Sequence, residues 1–120
     1  MLLLTSLLDQ PVVGKGGEEI GRLEDVILRI GDDLYPPIAG LVVRDQRRHF
    51  FVPARHLAAF QMHTHLSSLT VDLHPFRRRD GEVLLRKDVL DHQLIDITGR
   101  RIVRVNDVQL AQIEGFYRVI

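Results

Sequence analysis

The chain contains no cysteine. Disulfides, thiolate-bound zinc and cysteine nucleophiles are thereby excluded, and a reducing compartment suits it. It also has no excess charge of either sign, since 16 Lys and Arg offset 16 Asp and Glu. Dedicated nucleic-acid-binding domains are usually basic, so this balance weighs against that class while leaving room for a local basic patch. No apolar run reaches the ~20 residues that span a bilayer. The start, "MLLLTSLL", breaks at Thr5-Ser6 and lacks the basic opening of a signal peptide. It reads as a first strand or an apolar clip, and the chain as soluble and cytoplasmic. Two catalytic signatures are missing as well. "GKGGEE" lacks the second Gly-Lys-Ser/Thr of a phosphate-binding loop, and no Ser-His-Asp arrangement stands out. What is left is 120 residues, 45% hydrophobic and 27% charged. That is an ordinary domain, able to bury about two-thirds of its unfolded surface.

The informative feature is an echo. Sliding the chain by 82 positions lays residues 8–28 over 90–110 without a gap, and eight of the 21 pairs are identical. They include Leu8/Leu90, Asp9/Asp91, Gly17/Gly99, Arg22/Arg104, Asp25/Asp107 and Val26/Val108. We read this as an internal repeat. Each copy is a short apolar strand, a Gly-containing turn and a longer strand, which is a β-hairpin. Gly17 and Gly99 are the natural suppliers of positive φ in the turns.

Side chains alternate along a strand, and both long strands break that alternation. Val103 and Val105 share one face, whereas Val108 and Leu110 have the other parity, and the switch falls at Asn106-Asp107. In the first copy it falls at Glu24-Asp25, between Leu23 and Val26. One extra residue in a strand is a β-bulge, which bends it as a small barrel requires. Asp25 and Asp107 are expected to hold bulge amides that the ladder leaves unpaired. Replacing either with Ala is expected to cost roughly 1–2 kcal/mol.

The rest of the chain also reads as β. "PPIAGLVVRD" and "RRHFF" are strands, the second ending at Pro53, and "ARHLAAF" is one or two helical turns. "SSLTVDLHP" alternates cleanly, "FRRRDGE" is a turn at Asp80-Gly81, and "KDVLDH" is a short helical turn. About eight strands result, spaced for an all-β barrel with at most short helical turns.

"LLDQPVVGKGGEEIGRLEDVILRI…YPPIAGLVVRD…HFFVPARHLAAF…LTVDL" resembles the PRC-barrel family, over residues 6 to about 74. That family includes the cytoplasmic part of the photosynthetic reaction-centre H subunit and the C-terminal domain of the ribosome maturation factor RimM. Gly21, Arg22, Asp25 and Val26 carry the fingerprint. The stretch from Pro75 to Leu110 is similar to the region that follows a PRC-barrel in proteins resembling MgtE-type magnesium transporters. The resemblance implies a first PRC-barrel copy over 1–81 and a second, incomplete copy over 82–120, packed as one unit. "IEGFYRVI" then begins the next strand of the second copy. The function implied is a non-catalytic interaction or regulatory module, the cytoplasmic N-terminal part of such a transporter-like protein. Its expected partners are downstream domains of the same chain or another protein. An incomplete copy with unpaired strand edges also predicts a homodimer. Contact with the membrane is expected only indirectly. The alternative is a ribosome-maturation-type module that binds ribosomal protein or RNA.

Several side-chain groups are candidate sites. His63 and His65 would share a strand face, the beginning of a metal site, but a loop accounts for them equally. Asp32 and Asp33 offer hard oxygen ligands, and a turn explains them better. Arg77, Arg78 and Arg79 form the candidate patch for an anionic partner, with Arg47/Arg48 and Arg100/Arg101 as further basic clusters. Phe76 is the one aromatic beside them, so nucleic acid is not the expected partner. Asp25 and Asp107 are given structural roles. No catalytic residue, metal or cofactor is expected.

Overall fold

The structure, a computed structural model, describes residues 1–67, 74–95 and 102–120. The expectations placed on the strand at 68–73, on Gly99 and on Arg100 and Arg101 lie outside the described residues. β1 (Leu2–Leu3) leads into one helical turn, α1 (Leu4–Leu7). β2 (Pro11–Val13), β3 (Glu19–Arg29), β4 (Ile38–Asp45) and β5 (Arg48–Pro53) follow as an antiparallel meander. A 3₁₀ turn (Ala54–His56), β6 (Leu57–Phe60), β7 (Thr64–Leu66) and β8 (His74–Pro75) come next. β9 (Glu82–Leu84) runs into a π-helical turn (Leu85–Val89). The chain then forms β10 (Gln93–Ile95), β11 (Ile102–Arg104), β12 (Gln109–Ile113) and β13 (Phe116–Val119).

The all-β reading holds. The described residues contain thirteen strands where the pattern predicts about eight, because alternation is hard to recognise in strands of two or three residues. "ARHLAAF" is a single 3₁₀ turn followed by a strand, since three of its residues curl after Pro53 and the chain then extends to pair β6 with β7. The helical turn expected at "KDVLDH" begins earlier, at Leu85. The largest sheet runs β6-β7-β2-β3-β4-β5-β8, with β9 also on β3. Among the described residues no pairing joins β6 to β8, so this path is open rather than closed on itself.

The irregularity in β3 decides where its side chains go. The register with β4 slips between Leu23 and Asp25, so Glu24 is an extra residue. Leu23, Val26 and Leu28 therefore all reach one core, with Leu4, Leu41, Val43, Leu85, Val108 and Leu110 among its members. Ile27 faces the other way and packs with Val42 and Leu84 in a smaller cluster, against Phe51 and Phe76. In the C-terminal part the corresponding strand is interrupted outright, with β11 ending at Arg104 and β12 starting at Gln109.

Contacts recur at the spacing of the echo. Asp9 donates its N–H to Leu23 O at 2.7 Å, and Asp91 to Val105 O at 2.6 Å. Leu23 donates to Gln10 O at 2.9 Å, and Val105 to His92 O at 3.1 Å. Asp9 and Asp91 both adopt left-handed backbone, at φ 63° and 62°, a conformation that Asp tolerates better than most residues. The strands that precede these segments are exchanged. β1 pairs with β12, Leu2 opposite Leu110, while β9 pairs with β3, Val83 opposite Leu28. The π-helical turn holds five residues where α1 holds four, so the spacing between equivalent residues is 81 before the turn and 82 after it. Residues 1–81 and 82–120 thus share one core and lend each other a strand.

Candidate functional site

The Arg77–Arg79 run borders an open cleft of about 710 Å³. β8 lies on β5, and Phe76 donates its N–H to His49 O at 2.8 Å, which brings the run over the β4–β5 surface. The three arginines then take different places. Arg78 is tied down, ion-paired to Asp88 and donating from Nε and Nη2 to Glu82 O at 3.3 Å. Arg79 lies with its guanidinium 5.3 Å from the centre of the Phe51 ring, a cation–π distance. Arg77 is exposed and makes no ion pair among the described residues. Arg29, from the end of β3, and Arg55, from the 3₁₀ turn, face the same cleft. Glu82 is the acid in its lining; it is buried, and it accepts from Arg79 N at 2.9 Å. Sequence reading found the run but missed Arg29 and Arg55, because isolated arginines carry no signal until sheet pairing brings them together.

The two aspartates at the strand irregularities are engaged by backbone. Asp25, 5% exposed, accepts from Val26 N at 2.8 Å, Arg86 N at 2.7 Å and Lys87 N at 3.0 Å. Asp107 accepts from Val108 N at 2.8 Å, Thr5 N at 3.1 Å and Thr5 Oγ1 at 2.5 Å. Each carboxylate binds one amide beside its own irregularity and also the helical turn lent by the other part of the chain. Burial pushes the Asp25 carboxyl above the usual range, outweighing the hydrogen bonds that act the other way. At Asp107 burial also pushes upward, but the hydrogen bonds from Thr5 and Val108 win and leave the carboxyl below its usual value.

A smaller cleft of about 440 Å³ lies beside Asp25. Several charged groups around it are paired. His49 Nδ1 sits 2.5 Å from Glu24 Oε2. Arg86 makes a two-pronged contact with Asp9, at 3.0 and 2.8 Å, and Arg44 approaches the same carboxylate at 3.4 Å. The Arg86 hydrogen bond is the main reason the Asp9 carboxyl lies below its usual value. Arg86 and Asp9 went unrecognised in the sequence because 77 residues separate them. A scan against models of known protein families finds no match to this chain, and neither does a search of curated proteins.

The remaining sequence candidates are scattered. Gly17 has φ 89° in the β2–β3 turn. Gly21 is buried where β4 passes, and a Cβ there would stand 2.5 Å from Arg44 O. Arg22 is exposed and donates to Asp9 O at 3.0 Å. Arg104 is exposed at the end of β11. His65 lies in β7 and His63 just before it; among the described residues no group of three His, Asp or Glu is placed to hold a metal ion. Asp33 stands 3.9 Å from Arg118. Among the described residues no helix is long and apolar enough to cross a membrane.

A second surface has a different character. Arg118 reaches from β13 to Tyr35 O at 3.1 Å and to Ile113 O at 3.3 Å, and its guanidinium lies 5.7 Å from the centre of the Phe116 ring. Phe116 is 60% exposed and Tyr35 45%, and Leu34, next to Tyr35 in the chain, is 83% exposed. Pro36 and Pro37 lie along β13, with Val119 N donating to Pro36 O at 3.0 Å and Pro37 bridged to Arg118. Proline has no N–H to offer, so these residues blunt the edge against further strand pairing.

Proposed function

We propose that this chain is a non-catalytic interaction module of PRC-barrel type, formed from two copies that exchange their leading strands. In this reading it is the cytoplasmic N-terminal part of a protein related to MgtE-type magnesium transporters. It docks onto downstream domains or onto a second copy of itself. The duplication is supported by the matched hydrogen bonds at 82-residue spacing and by the reciprocal capping of Asp25 and Asp107. The transporter assignment rests on the sequence resemblance. The observation that carries the docking role is the exposure of Tyr35 and Phe116, which Arg118 links, with exposed Leu34 next to Tyr35 in the chain. Large apolar side chains gathered on a surface gain most when a partner removes them from water. Docking proceeds through these side chains and not by strand addition, because prolines lie on the β13 edge.

Light scattering tests self-association. The purified chain is expected to dimerise at high micromolar concentration, and Leu34→Ser with Phe116→Ser is expected to return it to a monomer. A wild-type chain that stays monomeric overturns the homodimer. The ribosome-maturation alternative draws on the arginines, but the Phe51 ring that lines their cleft already carries the Arg79 guanidinium on one face, which leaves less of it for a base to stack on.

A further inference from the structure

We propose that the arginine cleft between β4–β5 and residues 77–82 is a docking site for an acidic peptide segment of a partner protein. The cleft meets the surface around Arg118 at Pro37, but its arginines are not part of that apolar group, and the inference does not depend on self-association.

Charge distribution is the first argument. The chain as a whole is neutral, with 16 basic and 16 acidic side chains. Its cleft is not: among the described residues five arginines line it against one carboxylate, Glu82. Glu82 is buried and already takes an amide, and Arg78 is spent on Asp88. Arg29, Arg55 and Arg77 remain exposed and without ion pairs among the described residues. Like charges held side by side repel, and an anion laid between them relieves that repulsion while accepting their N–H groups in pairs.

Shape and lining narrow the anion. The cleft is open and about 710 Å³ in volume, far larger than a single phosphate needs. Pro37, Ile38, Pro53 and Pro75 line it between the guanidinium groups. An extended peptide bearing Asp and Glu satisfies both parts, since its aliphatic stems cover the prolines while its carboxylates meet the arginines. A nucleic acid fits less well. The Phe51 face already carries Arg79, and a neutral chain has no broad positive field to attract a long polyanion.

The test is fluorescence anisotropy with a labelled ten-residue polyglutamate in roughly 0.05 M salt, where exposed charges are weakly screened. The peptide is expected to bind. Arg55→Glu with Arg77→Glu is expected to weaken it about ten-fold. Arg47→Glu with Arg48→Glu makes the same change in net charge at the β4–β5 turn and is expected to leave binding unchanged. All four side chains are exposed, so circular dichroism should be unaltered; if the charge reversal disturbs the fold, Arg55→Gln with Arg77→Gln replaces it. Single-stranded RNA of equal length, phosphatidylserine vesicles and inorganic phosphate are run as competitors. The proposal is overturned if the peptide does not bind, if both charge reversals weaken it equally, or if any competitor binds more tightly than the peptide.

Discussion

Asp25 and Asp107 stand 82 residues apart, and each receives three hydrogen bonds, of which one comes from the following residue and the others from a borrowed helical turn. Their surroundings differ. β4 lies across β3 and closes over Asp25, whereas β11 pairs with β10 alone among the described residues. Burial therefore separates two carboxylates with the same local role. Water can replace a lost partner at Asp107 and has little access at Asp25.

The largest expected effect comes from the residue that lets β4 approach. Gly21 aligns with Val103 in the echo. At Gly21 a side chain would meet Arg44 O and Val43 Cγ1, at 2.5 and 2.9 Å from the Cβ. β11, which carries Val103, has no strand in the place of β4 among the described residues. Gly21→Val, which makes the first strand resemble the second, should cost about 3 kcal/mol in urea unfolding, because the obstructing atom is backbone and cannot swing aside. A cost near zero would mean that β4 is free to move off β3, and that the difference between the two strands has some other origin.

Next come the aspartates themselves. Asp25→Ala is expected to cost about 2 kcal/mol, since it strands buried amides, and Asp107→Ala about 1 kcal/mol. Sequence reasoning gave both the same cost, because parity locates an irregularity without telling how deeply it lies. Equal measured costs would show that the difference in burial has no energetic consequence.

The limits of sequence reading have the same physical origin throughout. Alternation along one strand is local, so the switch at Glu24-Asp25 could be read from Leu23, Val26 and Leu28. The donors to Asp25 are 61 and 62 residues away and the donor to Asp107 is 102 away, and no local pattern announces them. Arg77–Arg79 was visible as a run. The cleft that gives the run meaning needs Arg29 and Arg55, which only strand pairing and the 3₁₀ turn bring near. The exchange of β1 and β9 was hidden for a related reason: the extra residue in the π-helical turn breaks the 82-residue frame just where those strands begin.

The smallest effect, in acid, separates the aspartates by sign. Asp107 has a carboxyl below its ordinary 3.8, although its own partial burial acts upward. Its ionised form is favoured by folding, so it contributes stability above pH ~4 that is lost as pH falls through the lower folded value. Asp9, through Arg86, behaves in the same way. Asp25 is raised, chiefly by burial. Folding there favours the protonated form, so its contribution grows as pH falls from above its folded value toward 3.8. Wild-type stability should therefore decline between about pH 6 and pH 3 by less than the lowered groups alone would give. Asp107→Ala should flatten that decline, only modestly because its partner Thr5 is open to water, and Asp25→Ala should steepen it. Urea unfolding at several pH values reads both slopes. If Asp25→Ala flattens the curve instead, the three backbone N–H groups outweigh burial, and the two aspartates are electrostatically alike after all.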